Sequence, residues 1–570
     1  MCIMYLSELN IKHFRSIKDI SLTFNPGINV LIGENNAGKT TVIDALRICL
    51  GYRDHDGLRV SKSDFHVSKE SSTLKSIEFD LSFEITDDVE MGYFIELYDA
   101  NTETLDLHFR FNLKQYSKYE RIHSEVWGGQ NEGVNIPSEV FHSFIQVYLG
   151  ALRDAERYLR PGRYNQLGEL IIGIDETNFS DKYNRDEMAD TFSETIGDSD
   201  FSDFIREVNN RYIATHLDNM TFEKSANLDI RLIDQDFDEM SRNLKIKLPL
   251  SNDASNDKLL ELYQNGLGHN NLIYIAILLS RLSDLSKSED SLYLSLLIEE
   301  PEAHLQPQLQ NLFFSYLNEL NKDLNESKSF QIFITSHSPT LTAKADLDSL
   351  IILQKDAENE NIVCANFKSL GFDEDNKEYL HKFLDVTKSQ LLFSKRIIFV
   401  EGISEALLLP TFANKLGCNL DESGVEVVIL NGITFKHFSH LFDEDNPLIF
   451  KGSFITDDDR KEFDGDPSST FENLKLFENN NLEIHAAFKT FEYELLNCNE
   501  KDSLIYKTFK DEHPQLFKNL LNNTNEEIFD ILDSSKIHKA DIALKLSILL
   551  NENNHEVPGY ISNAIKFVCK

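Results

Sequence analysis

Three groups of residues in this chain have the types and spacing of reactive sites. The first is Gly33-Glu34-Asn35-Asn36-Ala37-Gly38-Lys39-Thr40-Thr41, which fits the phosphate-binding pattern G-x-x-x-x-G-K-[ST]. Its glycines let backbone N–H groups close on a phosphate chain, Lys39 reaches the β/γ-phosphates, and the Thr40 hydroxyl can ligate Mg²⁺. The second is the carboxylate pair Glu299-Glu300, followed later by Ser336-His337-Ser338. Beside a triphosphate, Glu299 would help position Mg²⁺, Glu300 would orient or deprotonate the attacking water, and His337 would contact the γ-phosphate. The third is acidic: Glu401, with Glu405 one helical turn further on, and Asp457 with Asp459 in the run Asp457-Asp458-Asp459. Hard oxygen ligands of this kind suit Mg²⁺ or Mn²⁺, which can neutralise a scissile phosphate and activate water.

Each group sits where a strand should end. The apolar run Ile28–Ile32 stops at Gly33, and Val42, Ile43, Ala45, Leu46 and Ile48 then repeat at helical spacing, giving strand, loop and helix. Ser291–Ile298 leads into Glu299, Phe330–Thr335 into Ser336, Arg396–Val400 into Glu401, and Gly452–Thr456 into Asp457. Open α/β sheets bind ligands at the carboxyl edge of their strands. Upstream, Tyr5–Ile17 alternates as a strand, Asp19–Phe24 reads as a second, and Asn25-Pro26-Gly27 turns the chain into the loop strand. Ser76–Ile85, Leu105–Leu113 and Phe141–Leu149 are expected to build an antiparallel layer beside the phosphate-binding sheet. From about 175 to 250 the chain is polar and helix-like; a surface insertion and a dimerisation arm both fit that composition. A helical segment carrying Tyr379, Leu380, Phe383, Leu384, Leu391 and Leu392 reads as a connector.

At 570 residues the chain is too long for one core and should hold about two to four domains. Six scattered cysteines without a C-x-x-C pair argue against a zinc ribbon or a disulfide framework and for a reducing, cytoplasmic setting. Neither a signal peptide nor an apolar run of about eighteen residues is present, so no membrane association is expected. A formal net charge of −39 disfavours a nonspecific polyanion binder, so any DNA-binding surface must be local. One candidate is Arg153, Arg157, Arg160 and Arg163; the first three recur at helical spacing, and an ion-paired or solvated face fits them equally well.

Between the first two groups, Gln264-Asn265-Gly266-Leu267-Gly268-His269-Asn270-Asn271 precedes an apolar helix from Leu272 to Leu282. By position it resembles the signature motif of ABC-type ATPases, without the usual Leu-Ser-Gly-Gly form; a plain glycine-containing helix start is the other reading. The order of phosphate loop, signature-like motif, acidic strand end and histidine loop resembles ABC-type heads, including those of the RecF and SMC groups. Two such heads sandwich ATP, so the resemblance implies a homodimer or higher homo-oligomer. A glutamate at one strand end with a D-x-D pair at another resembles the Toprim fold.

The combination resembles the overcoming-lysogenization-defect (OLD) family of endonucleases. The supporting segments are Phe14-Arg15-Ser16-Ile17, Gly33 to Thr40, Tyr148 to Asp154, Ile298 to His304, Thr335 to Pro339, Val400-Glu401-Gly402 and Asp457-Asp458-Asp459. The resemblance implies an α/β fold: an ABC-type (RecF/SMC-like) P-loop ATPase head with a helical insertion, followed by a Rossmann-like Toprim domain. The expected divisions are 1–175, an insertion at 176–250, 251–390 and a Toprim domain at 391–570. It also implies that Glu401, Glu405, Asp457 and Asp459 are metal ligands. Glu492, in Lys489-Thr490-Phe491-Glu492-Tyr493, resembles a later family acid, and Lys539 a late lysine that would stabilise the transition state. The implied activity is ATP-binding, metal-dependent DNA cleavage in antiphage defence, with room for an operon-encoded defence partner. The departure from the signature consensus points to ATP gating the chemistry rather than driving it. The alternative is a RecF/SMC-like clamp on DNA or partner proteins with no nuclease activity.

Overall fold

The computed structural model describes residues 4–51, 57–67, 74–85, 91–116, 119–150, 155–174, 184–197, 236–249, 259–286, 292–303, 305–325, 329–356, 361–384, 389–430, 435–448, 450–460, 462, 465–518, 524–531, 538–551 and 553–569. Arg153, Asp154 and His304, together with residues 198–235 of the expected insertion, lie outside them.

The amino-terminal strands β1 (Met4–Phe14), β2 (Ile17–Thr23) and β3 (Gly27–Gly33) are followed by helix α1 (Lys39–Leu50). Then come β4 (Ser76–Ile85), β5 (Tyr98–Asp99), β6 (Thr104–Tyr116), β7 (Tyr119–Gly128) and β8 (Phe144–Leu149). An antiparallel sheet runs β2-β1-β4-β6-β5, with β7 also on β6. In β1 the residues Met4, Leu6, Leu9, Ile11 and Phe14 are buried, the pattern of a strand with one covered face. A short antiparallel pair, β9 (Lys247–Pro249) and β10 (Leu259–Glu261), precedes helix α2 (Leu267–Leu285).

The nucleotide-type sheet is completed by β11 (Tyr293–Glu299), helix α3 (Pro307–Asn325), β12 (Ser329–Ser336), β13 (Leu350–Asp356) and β14 (Asn361–Asn366). Its order is β14-β13-β3-β12-β11-β8, parallel except for β14. β3, β11 and β12 are buried at every residue because both faces of the sheet are covered, which is why they read as unbroken apolar runs. One expectation is corrected here. Phe141–Leu149 does not join the antiparallel layer: Ser138–His142 is a helical turn, and β8 pairs in parallel with β11. Its Ile145, Val147 and Leu149 pack into the same core as Ile275, Leu278 and Leu282 of α2, a burial that an antiparallel position would not give them.

The carboxy-terminal sheet is built from β15 (Arg396–Val400), helix α4 (Ile403–Lys415), β16 (Val425–Ile429), β17 (Lys451–Asp457) and β18 (Leu482–Ala487). All four strands are parallel, in the order β16-β15-β17-β18. Helices α5 (Phe491–Cys498), α6 (Lys539–Leu549) and α7 (Gly559–Cys569) follow. The two sheets share a core through the connector helix Glu374–Phe383: Phe383 and Phe399 both pack on Phe438, each with ring centroids 5.0 Å apart. Against the expectation of no disulfide framework, Cys418 and Cys569 are joined in a disulfide, fastening the last helix beside α4 across 151 residues of sequence. Among the described residues no helix is long and apolar enough to cross a membrane.

Gly33 is required by space as well as by backbone conformation. Its φ is +150°, and a Cβ there would lie 2.1 Å from the carbonyl oxygen of Leu353 on β13. Gly33→Ala should therefore lower unfolding stability by at least about 1–3 kcal/mol, read as a lower denaturant midpoint; an unchanged midpoint would contradict this packing.

Candidate functional site

The phosphate loop leaves β3 at Gly33 and enters α1 through Gly38, whose φ of +90° and close approach to Ile362 Cδ1, 2.5 Å from a built Cβ, call for glycine. Asn36 also takes a left-handed conformation, at φ +68°. Asn35 and Asn36 are exposed, whereas Ala37, Gly38, Lys39 and Thr41 are buried. Lys39 folds back on its own loop: Nζ donates to Gly33 O at 2.8 Å and Glu34 O at 3.0 Å and lies 3.4 Å from His337 Nδ1. Burial pulls its ammonium down to about 8, against the opposing pull of Glu300, Glu302 and Glu34.

Glu299 ends β11 and lies across the sheet from this loop. Its Oε2 accepts from Thr40 Oγ1 at 3.1 Å and its Oε1 from the Tyr148 hydroxyl at 2.9 Å. Glu300 follows at φ +44°, its N–H held by Thr335 O at 3.0 Å, and places Oε1 3.5 Å from His337 Nε2. Burial first, then Lys39, lowers the His337 pKa, which favours a neutral ring able to accept from Lys39. Glu302 was not singled out in the sequence, although the E-E-x-E spacing carries it. Its Oε1 accepts from His337 N at 2.6 Å and Ser336 Oγ at 2.9 Å, so this acid fixes the backbone of the histidine loop. Its Oε2 is buried, with no hydrogen-bond partner among the described residues. The signature-like segment starts α2 at Gly266 without a side-chain cap; Asn270 Nδ2 donates to Leu262 O at 2.8 Å and Asn271 Nδ2 to Ala303 O at 3.4 Å.

In the carboxy-terminal sheet, Glu401 and Asp457 stand at the carboxyl ends of the neighbouring strands β15 and β17. Glu401 Oε2 accepts from Asp457 N at 3.2 Å and Thr456 Oγ1 at 3.1 Å. Glu405, in the first turn of α4, is buried, and burial with Glu492 and Glu401 nearby pushes its carboxyl up to about 7. Asp457 is raised well above the usual range by burial, then by Glu405, Glu492 and Glu401, with Lys539 opposing. Glu492 on α5 pairs with Lys539 Nζ of α6 at 3.0 Å. Burial works against the Lys539 charge, but Glu492, Asp457 and Glu405 hold its pKa above the ordinary value.

The D-D-D run divides. Asp457 joins the acids, while Asp458 is buried and spent on its own loop, accepting from Ser468 N and Arg460 Nε, both at 2.7 Å. Asp459 is exposed at φ +49°, with its N–H donating to Lys489 O at 3.1 Å. An all-oxygen donor set whose members repel one another fits a hard divalent cation. Among the described residues, however, no three His, Cys, Asp or Glu side chains are gathered closely enough to hold one, so coordination requires carboxylates to turn inward. Of the arginine candidates, Arg160 is ion-paired with Glu156, and Arg157 lies over the rings of Tyr158 and Tyr164 at 5.8 and 5.6 Å.

Residues 4–126 and 139–342 match the family model described as AAA ATPase domain, and residues 392–459 match the Toprim domain of overcoming-lysogenization-defect-like proteins. The chain belongs to the AAA ATPase domain family, and its carboxy-terminal part matches the OLD-like Toprim model. Over its whole length the chain is similar to Endonuclease GajA of Bacillus cereus (strain HuB5-5), 22% identical over 100% of this chain and 96% of that protein. The OLD nuclease of Thermus scotoductus (strain ATCC 700910 / SA-01) is 23% identical over 75% of this chain and 77% of that protein. The C-terminal region of the Burkholderia pseudomallei OLD protein is 22% identical, covering 31% of this chain and 98% of that chain at a TM-score of 0.25, a superposition too loose to carry an argument.

The Lys39 environment sets a pH dependence. Its folded pKa lies near 8 against an ordinary value of 10.5, so the unfolded chain holds more protons in that window, and this group makes the nucleotide-free protein more stable as pH rises through it. Nucleotide binding has the opposite slope, because phosphate attracts the ammonium. Affinity should fall by up to about tenfold per pH unit above the Lys39 pKa in fluorescence titrations; an affinity independent of pH there would contradict the buried setting of Lys39.

Proposed function

We propose that this protein is a cytoplasmic, ATP-binding DNA endonuclease that uses Mg²⁺ or Mn²⁺, acts as a homodimer or higher homo-oligomer, and serves in antiphage defence. The observation that carries the reading is the joining of Glu401 to Asp457 at adjacent strand ends, with Glu405, Glu492 and Lys539 bearing electrostatically on Asp457. Glu401, Glu405, Asp457 and Glu492 would hold the cation, which when bound neutralises the scissile phosphate and acidifies water; Asp459, exposed on the following turn, would join the set only by turning inward. Lys539 stands at the edge of this cluster, half exposed, where its ammonium can stabilise the extra negative charge of the transition state. At the other site Lys39 and the loop N–H groups from Asn35 to Thr41 would bind the phosphates, with Gly33 and Gly38 shaping the loop. Thr40 and Glu299 would hold the nucleotide's cation, Glu300 would orient water, and His337 would face the γ-phosphate.

Nucleotide would regulate cleavage through a direct contact between the two halves. Lys395, just before β15, pairs with Glu34 of the phosphate loop and donates to Lys355 O at 2.7 Å. Glu34 O is in turn held by Lys39 Nζ. A ligand that draws Lys39 toward its phosphates frees the Glu34 carbonyl and alters the loop to which Lys395 is tied. A cavity of about 480 Å³ opens beside this contact, lined by Glu34, Lys395, Arg396 and the turn Asp421–Gly424, giving the loop room to move.

The separation of the acidic donors favours a second reading, an ATP-dependent DNA clamp without nuclease activity. Plasmid cleavage separates the two. Glu401→Gln and Asp457→Asn should each reduce nicking in Mg²⁺ or Mn²⁺ by at least about 10³-fold while leaving ATP affinity unchanged. Undiminished cleavage by both variants would remove the assignment, and a wild-type protein that shifts plasmid mobility without breaking a strand would establish the clamp. For regulation, Lys395→Met should keep cleavage in the absence of nucleotide and lose most of the change that ATP produces; a full ATP response in this variant would rule out the contact as the route.

A further inference from the structure

Tyr148 is the penultimate residue of β8, and the sequence marks it only as the start of the segment Tyr148 to Asp154. Its hydroxyl donates to Glu299 Oε1 at 2.9 Å while Thr40 Oγ1 donates to Oε2 at 3.1 Å, so both oxygens of this buried carboxylate are fixed from opposite sides. The ring itself is clamped. Arg47 lies over it with Cζ 3.6 Å from the centroid, and Arg47 pairs with Asp44 at 3.4 Å. Both residues belong to α1, the helix that begins at Lys39. On the other side, a Cβ at Gly150 would come within 3.0 Å of the Tyr148 hydroxyl oxygen and 3.1 Å of Cε1, so the glycine leaves the ring its place. Burial pushes the Glu299 carboxyl up, and the Tyr148 hydrogen bond is the largest influence holding it down, favouring the charged form.

We propose that Tyr148 is a positioning residue for the nucleotide's divalent cation, orienting Glu299 so that its free lone pairs and the Thr40 hydroxyl are offered together. The inference rests on the nucleotide-binding reading given above. A carboxylate held at one oxygen only can rotate about its terminal torsion, which is broad. Tying the second oxygen to a ring that is stacked on α1 links the acid's orientation to the helix that carries Lys39 and Thr40. Outer partners of this kind set ligand orientation and basicity, and their loss commonly weakens metal binding about 10- to 100-fold.

Tyr148→Phe removes the hydroxyl and keeps the ring under Arg47. Affinity for a fluorescent ATP analogue, titrated with Mg²⁺ and again in EDTA, is the readout. The variant should bind about 10- to 100-fold more weakly than wild type with Mg²⁺ and equally well in EDTA. An equal loss in both conditions would mark Tyr148 as a packing residue and overturn the inference, as would no loss in either. Should Tyr148→Phe fail to fold, Gly150→Ala, which crowds the hydroxyl without removing it, must show the same Mg²⁺-selective loss, and its absence overturns the inference equally. A wild-type protein that binds no ATP analogue at all contradicts the nucleotide reading itself. Wild-type affinity that is the same with Mg²⁺ and in EDTA removes the metal role of Glu299 and the inference with it.

Discussion

Carboxyl groups crowded at strand ends, in a chain already carrying a formal charge of −39, are the constraint on which the rest of this structure depends. At the end of β11, Glu300 and Glu302 stand with Glu34 within electrostatic reach of a single buried ammonium, Lys39. At the ends of β15 and β17, Glu405, Asp457 and Glu492 stand around a second, half-exposed ammonium, Lys539. Burial raises the cost of the charged forms of Glu299, Glu302, Glu405 and Asp457, and neighbouring acids add to it. A cation brought into either centre would relieve both costs together.

The halves differ in how firmly their acids are held. Both oxygens of Glu299 and one of Glu302 are hydrogen-bonded by residues of neighbouring strands and loops, so the nucleotide side is set in place. The Toprim acids have fewer such ties and no three of them converge among the described residues. A firmly held phosphate-loop centre joined through Glu34 and Lys395 to a looser acidic centre is an arrangement in which ligand binding at the first can change the geometry of the second. The aromatic packing of Phe383 and Phe399 on Phe438 gives that link a solid backing.

Much of the scaffold could be read from the chain because strands buried on both faces leave continuous apolar runs, and the reactive residues follow each run directly. That reasoning found the ends of β3, β11, β12, β15 and β17. It failed for Phe141–Leu149, since a short apolar run does not say whether its partners are parallel or antiparallel. It also missed Tyr148 and Glu302, whose roles come from strands far away in sequence: the bond from Tyr148 to Glu299 spans 151 positions. The run Asp457-Asp458-Asp459 could not be divided by spacing, because a turn at φ +49° on Asp459 ends the strand alternation that would have paired the outer two. The joining of Cys418 and Cys569 was hidden for the same reason of distance.

The central claim is that bond breaking belongs to the carboxylates at the ends of β15 and β17, while the phosphate loop governs them. Anomalous diffraction from crystals of the full chain soaked in Mn²⁺ with a nonhydrolysable ATP analogue tests it most directly. The account predicts one peak between Thr40 and Glu299 and a separate one among Glu401, Glu405 and Asp457, with those carboxylates turned toward it. A Mn²⁺ peak at the nucleotide alone, with the second cluster unchanged and empty at saturating metal, would contradict it.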